Sequence, residues 1–352
     1  MLITGLGTAV PATRYTQAQC WDAFQAAPQF PALDRRARAT LQRVLRHDNG
    51  INGRGLALDR LDDAFVLDPD TLHRRYAQHA PALAAQAATR ALRDAGISAS
   101  EIDGVVISTC TGYHCPGLTS YVSEILGLRS DVLALDLVGQ GCGAAIPNMR
   151  TGEALLRTDD CGQVLSICVE ICSAALYLDN DPGVLISACL FGDGAGAAVL
   201  SAEPGPRGRR VEWCAAASLH DPAARDTLRF EHKQGLLRNI LTPQVPAIAA
   251  AHARTVLVET LAGRGIGHDE IAAWIWHGGG RKVIDALCAE MGLTKEDLQW
   301  TSNILNAFGN ISSPSVYFAL EAALRGGARG GWWWMSSFGA GFSCHGALLK
   351  VA

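Results

Sequence analysis

The sequence predicts a layered α/β protein made of two duplicated halves. Three observations carry this expectation. Apolar runs of strand length alternate with Ala-rich helical stretches in both halves, the pattern of sheets covered by helices. Each half closes on Phe-Gly-x-Gly followed by small and apolar residues, at Phe191 to Gly194 and again at Phe338 to Gly341. The 352 residues are 49% apolar and 18% charged with 37 glycines, enough for a large core in which backbones approach closely. Such a composition excludes a disordered chain. A net charge of −4 lacks the basic excess normal for a nucleic-acid binder.

Taken in order, Met1 to Pro11 reads as a first strand ending at Gly5 and Gly7. It has neither a basic start nor a long apolar stretch, so it is not a signal peptide. Helical periodicity covers 17–47, with Arg35, Arg36, Arg38, Arg43 and Arg46 in its second part. A solvated helix face and a basic rim for an anionic ligand are both open readings. A long Ala-rich helix over 71–95 stops at Gly96, and 102–108 is a buried strand centred on Val105, Val106 and Ile107. A helix over 117–126, a strand over 132–137, a helix over 147–158 and strands over 163–170 and 194–201 complete the first half. Residues 203–209, with Pro204, Gly205, Pro206 and Gly208, form a linker, so the halves are 1–203 and 210–352. In the second half a strand over 271–276 enters a Gly-rich loop. Helices follow over 282–291 and 310–325, and 332–336 leads into a closing hairpin. No apolar run reaches about 18 residues, so no membrane span is expected.

Eleven cysteines, odd in number and scattered without a CxxC pair, support neither a disulfide framework nor a zinc site. The expected setting is a reducing cytoplasm, with one reactive thiol among packed ones. Cys142 stands out, because Gly139-Gln140-Gly141-Cys142-Gly143-Ala144 joins a strand to a helix. A cysteine on such a turn sits near a helix N-terminus, which lowers a thiol pKa. A cysteine nucleophile needs a base and an oxyanion site. His277 leaves an apolar strand and is followed by three glycines, and Asn310 lies in AFGNISSP. A structural histidine and a helix cap are the competing readings of these two. Spacing alone does not bring them to Cys142.

Several segments together resemble the type III polyketide synthases, the chalcone-synthase-like branch of the thiolase superfamily. They are GQGCGAAIPNMR, WIWHGGG and AFGNISSPSVYF, in the family's order, with LFGDGAGAAVL, GLGTAVP and SFGAGFS around them. The resemblance implies a five-layer αβαβα thiolase-like fold working as a homodimer. It implies Cys142 as acyl-carrying nucleophile, with His277 and Asn310 holding the thioester carbonyl while malonyl-CoA is decarboxylated. Phe191 matches the family's gatekeeper, and Cys110, Thr111, Cys172, Ala175 and Ser312 match cavity positions. Cys115 and Pro116 match a loop that crosses the dimer axis through a cis peptide. No bound cofactor and no metal are implied; an acyl-CoA starter and malonyl-CoA are the substrates, and Arg43 and Arg46 are candidates for the CoA phosphates. Small side chains at Ala174 and Ala175 suggest room for a medium or long acyl starter. An alkylresorcinol, a phloroglucinol or an α-pyrone would be the product.

The chain departs from the family pattern in two places. Ala340 replaces proline in the closing Ser337 to Gly341 segment, and Arg229 and Arg238 stand where plant members place Gly and Phe. A buried arginine there would require a partner. A ketoacyl-ACP synthase III-like enzyme is the nearest alternative, disfavoured by the three glycines after His277. A thiolase would need a second catalytic cysteine near the C-terminus, where Cys344 lies. A papain-like hydrolase and a non-catalytic binding protein on the same scaffold are weaker readings.

Overall fold

The structure is a computed structural model that describes residues 1–205 and 210–352. The part of the expected linker at Pro206 and Gly208 lies outside the described residues. The N-terminal half runs β1 (Leu2–Ala9), β2 (Arg14–Thr16), α1 (Gln17–Ala26), α2 (Arg35–Arg46), β3 (Gly53–Gly55), α3 (Pro69–Ala95), β4 (Gly104–Thr109), α4 (Leu118–Leu126), β5 (Leu133–Val138), α5 (Ala145–Leu155), β6 (Gln163–Glu170), α6 (Pro182–Leu190) and β7 (Gly194–Ser201). The C-terminal half runs β8 (Val211–His220), β9 (Leu228–Lys233), β10 (Leu236–Leu241), α7 (Val245–Ala262), β11 (Ile271–Trp276), α8 (Arg281–Met291), α9 (Gln299–Phe308), α10 (Ser315–Arg325), β12 (Gly331–Gly339) and β13 (Ser343–Val351).

The strand order itself repeats. In the first half β1 pairs antiparallel with β7, β7 antiparallel with β6, and β6 parallel with β4, with β5 at the edge. In the second half β8 pairs antiparallel with β13, β13 antiparallel with β12, and β12 parallel with β11. First strand, last strand, penultimate strand, inner strand is the sequence of neighbours in both. The halves meet where Leu2 and Ile3 of β1 pair with Glu212 and Val211 of β8.

Strand periodicity then builds five layers. Val105 and Ile107 of β4 pack under α3 and α4, whereas Val106 faces α5 and α10. Trp274 and Trp276 of β11 pack under α7 and α8, whereas Ala273 and Ile275 face α5 and α10. The two buried helices α5 and α10 therefore lie between the two halves of the nine-stranded sheet, α3 with α4 and α7 with α8 cover its outer faces, and α1, α2 and α6 pack as a cluster of their own. A register shift between Ile3 and Gly5 puts both Ile3 and Leu6 on the inner face, which a regular strand of that spacing would not do.

Gly5 and Gly7 are not the strand's end, as expected from sequence, but its contact with α3. A Cβ on Gly5 would stand 2.3 Å from the Ala91 carbonyl oxygen, and one on Gly7 would stand 2.2 Å from that of Ala87. The glycines on the strand and the alanines on the helix are two sides of one close approach. Other boundaries also moved. The periodic stretch 17–47 is two helices, split by a short turn at Phe30–Ala32. The helix expected from residue 310 begins at Ser315, because Ser312 takes a left-handed backbone (φ 56°) that no helix accommodates. Among the described residues no helix is long and apolar enough to cross a membrane.

Candidate active site

Cys142 sits in a short turn, Gly141–Gly143, between β5 and α5. Gly141 is left-handed (φ 55°), which makes the turn sharp. Against its back lies the end of β12. A Cβ on Gly339 would be 2.4 Å from the Gly143 nitrogen and 3.1 Å from that of Cys142. The closing segment with Ala340 therefore backs directly onto the cysteine's turn. The same strand end reaches His277, whose ring centroid is 5.0 Å from that of Phe338. His277 follows β11, is fully buried, and is fixed through its backbone N–H to the Ser336 carbonyl.

Asn310 comes to this point from the opposite direction. Its N–H donates to the Leu190 carbonyl, and it bridges Phe191 at the end of α6. The helix-cap reading of Asn310 is excluded, because α10 starts five residues later. Its Nδ2 donates to the Gly279 carbonyl at 3.0 Å, two residues beyond His277, and its Oδ1 accepts from the Ser312 N–H at 2.9 Å. Ser312 Oγ stands 3.1 Å from Cys142 Sγ and 3.3 Å from Glu170 Oε1, so its one proton has two acceptors in reach. The three chain-distant segments are thus joined in one hydrogen-bonded string, although no hydrogen bond links Cys142 directly to His277 or Asn310 among the described residues.

Burial dominates the electrostatics. It pushes the Cys142 thiol up to about 12, against the Ser312 hydroxyl and a backbone N–H, which favour the thiolate. The lowering expected from the helix end does not prevail in this pocket. Burial also lowers His277 to about 4, so the ring is neutral near pH 7, and its Nδ1 has no partner among the described residues.

A cavity with about 800 Å³ of empty space, its mouth included, opens in front of Cys142. Cys110, Thr111, Cys172, Ala175, Phe191 and Ser312 all line it, together with Cys142. His277 and Asn310 do not line it; Asn310 is tied to the wall through Ser312, and the loop after His277 is tied to Asn310 through the Gly279 carbonyl. Cys344 is buried in the core and lies outside the wall. The Cys115–Pro116 peptide is cis, and both residues are exposed on the loop before α4. Arg43 and Arg46 are exposed on the last turn of α2, apart from the cavity wall. Arg229 and Arg238 have the partners their position demands: Glu231 at 2.8 Å for Arg229, and Asp179 at 2.8 Å and Glu231 at 2.9 Å for Arg238.

Sequence reasoning missed two groups. Glu170 is fully buried and collects hydrogen bonds from Ser313 Oγ (2.6 Å), Thr111 Oγ1 (3.0 Å) and the Cys110 N–H (3.0 Å). Burial raises its pKa while these donors oppose the rise. An acidic residue closing the apolar strand QVLSICVE was the available signal. Arg54 is buried in the cavity wall, where its Nη1 donates to the Ala188 and Phe191 carbonyls and so caps α6 beside Phe191.

Comparison with known proteins bears on the family and the fold. Residues 69–204 match the N-terminal domain of chalcone and stilbene synthases, and residues 223–351 match the C-terminal domain. The chain is 32% identical to a 3,5-dihydroxyphenylacetyl-CoA synthase of Streptomyces toyocaensis, over 99% of this chain and 89% of that one. It is also 32% identical to a 1,3,6,8-tetrahydroxynaphthalene synthase of Streptomyces peucetius subsp. caesius, over 99% and 92%. The fold superposes on PKS-I of the brown alga Ectocarpus siliculosus with a TM-score of 0.90 at 24% identity, covering 100% of this chain and 98% of that one. It superposes on the C-terminal type III polyketide synthase domain of Steely1 from Dictyostelium with a TM-score of 0.86 at 22% identity, covering 99% and 98%. With both family domains matched in order on a thiolase-like fold, the chain belongs to the chalcone and stilbene synthase family: it is a type III polyketide synthase, an acyltransferase that makes carbon–carbon bonds by condensing malonyl-CoA.

Proposed function

We propose that the enzyme extends an acyl chain held on Cys142 with malonyl units and closes it to a hydroxylated aromatic ring. The observation that carries the assignment is the string from Cys142 Sγ through Ser312 and Asn310 to the loop after His277. In loading, Cys142 Sγ attacks the starter thioester; its proton passes to the neutral His277 ring and then to the departing CoA thiolate. In extension, malonyl-CoA loses CO2 and leaves an enolate, whose oxygen accepts hydrogen bonds from His277 and Asn310. The enolate carbon attacks the Cys142 thioester and expels the Cys142 thiolate, leaving the lengthened chain on CoA; the thiolate then attacks that CoA thioester, takes the chain back and releases CoA. CoA thioesters supply both reactants, and no resident cofactor enters these steps. α2 packs on α6, part of the cavity wall, so the exposed Arg43 and Arg46 are assigned to the CoA phosphates.

The names of the related 3,5-dihydroxyphenylacetyl-CoA and 1,3,6,8-tetrahydroxynaphthalene synthases favour a polyhydroxylated aromatic product without a long alkyl chain. The apolar cavity wall, with Ala175 among its small residues, favours a second reading: a medium or long acyl starter leading to an alkylresorcinol or α-pyrone. Supplying labelled malonyl-CoA alone and with an acyl-CoA series separates them. Extended product from malonyl-CoA alone supports the first. Product only with long acyl-CoA, shifted to shorter chains by Ala175→Leu, supports the second. No labelled product under any condition contradicts both.

We also infer that the enzyme works as a homodimer. β5 is an edge strand whose Leu133, Leu135 and Val138 are 46%, 36% and 58% exposed, beside the exposed Tyr121 and Ile125 of α4. An apolar strand edge of this kind is normally covered, and a second copy pairing along it would place the Cys115–Pro116 loop at the interface. Val138→Asp should yield monomer in sedimentation; an unchanged dimer would contradict this assignment.

A further inference from the structure

Asn239, on β10, is 9% exposed and lines the cavity, and its buried Oδ1 has no hydrogen-bond partner among the described residues. Buried polar atoms rarely go unpaired, and one that does calls for an explanation. Phe230 stands directly opposite Asn239 in the β9–β10 ladder, so the two side chains share the face turned to the cavity. Leu176 and Val184 extend the wall, so the carboxamide sits in mainly apolar surroundings.

The reverse face of the same hairpin is ionic. Arg238 stands opposite Glu231 and reaches its Oε1 at 2.9 Å, Asp179 Oδ2 at 2.8 Å and Asp181 Oδ2 at 3.7 Å. Its guanidinium lies 6.0 Å from the Tyr177 ring, and Tyr177 is itself part of the cavity wall. β9 and β10 form a separate two-stranded sheet, not laddered to the central sheet among the described residues. One end of the hairpin is seated on α6, where a Cβ on Gly183 would fall 2.1 Å from the Leu241 carbonyl oxygen. The Arg238 cluster ties its middle to the segment 179–181.

We propose that Asn239 is a specificity-determining residue that receives an oxygen of the growing poly-β-keto chain, and that Arg238 is the positioning residue that holds it in the wall. The ligand class follows from the amide. An enol hydroxyl donates to the unpaired Oδ1 and a neighbouring keto oxygen accepts from Nδ2–H, so a chain with oxygen on alternate carbons, partly enolised, satisfies both ends of the amide. A saturated alkyl chain leaves it unpaired. The inference rests on the polyketide reading above and deepens it.

The test is the ratio of fully extended to early-released chains made from labelled malonyl-CoA. In Asn239→Leu, close in size and unable to hydrogen-bond, the ratio should fall about tenfold. Asn239→Ala should show the same direction and guards against misfolding of the larger substitution. Arg238→Met should lower the ratio, and Arg238→Lys, which keeps a charge for Asp179, should restore part of it. A ratio unchanged in both Asn239 variants overturns the assignment of Asn239. Equal losses in Arg238→Met and Arg238→Lys overturn the positioning role. Wild-type enzyme that extends no chain at all overturns the polyketide reading itself, a result distinct from both.

Discussion

At Cys142 two effects oppose each other. Burial penalises the thiolate, and burial also penalises the imidazolium of His277, so each group by itself is held neutral. Transfer of the thiol proton to the ring creates two opposite charges together, and their attraction in a poorly solvated pocket offsets both penalties. On the proposed mechanism the thiol therefore reacts through its partner. In His277→Gln, the pH profile for iodoacetamide alkylation of Cys142 should move to higher pH than in wild type; coincident profiles would contradict the pairing. The segments that meet at this site were singled out in the sequence by the glycines on both sides of Cys142 and after His277. Ser312 and Glu170 show where that reading ran out. The roles they take depend on a left-handed backbone at one and on convergence of donors from three segments on the other, and neither leaves a local signature.

Among the elements, the closest packing is between β1 and α3. Gly5 and Gly7 have backbone atoms of the helix where a side chain would begin, with no flexible group able to move aside. Gly5→Val should cost about 3 kcal/mol or more in urea unfolding, since overpacking against backbone cannot relax by rotamer change. A loss below about 1 kcal/mol would show that α3 shifts freely. Strands buried on both faces, such as β4, β6 and β7, were legible as continuous apolar runs. α6, α7, α9 and the β9–β10 hairpin were not. α7 is Ala-rich and apolar on most sides, so its periodicity is faint, and the hairpin's alternation is broken up by its charged face.

For the whole molecule, duplication was suggested by one four-residue echo, and it is carried by strand order, which a sequence does not display. The halves share a single enclosed layer, α5 with α10, so each depends on the other for its core. Acid should loosen that arrangement. Burial lowers both His277 and His345 from the ordinary 6.5 to about 4. A depressed histidine pKa means that the unfolded chain binds the proton first. The stability these groups contribute is complete above pH 6.5 and is lost as pH falls toward 4, by roughly 3 kcal/mol per histidine. In His345→Gln the slope of unfolding free energy over that window should be shallower; an identical slope would contradict the account.

The central claim is that Cys142 carries the growing chain. Intact-mass spectrometry of the enzyme after brief exposure to acyl-CoA and malonyl-CoA tests it most directly. Wild type should gain the mass of an acyl or polyketide adduct, located to the Cys142 peptide, and Cys142→Ala should gain none. An adduct that persists in Cys142→Ala, on any other of the cavity's thiols, would contradict the claim.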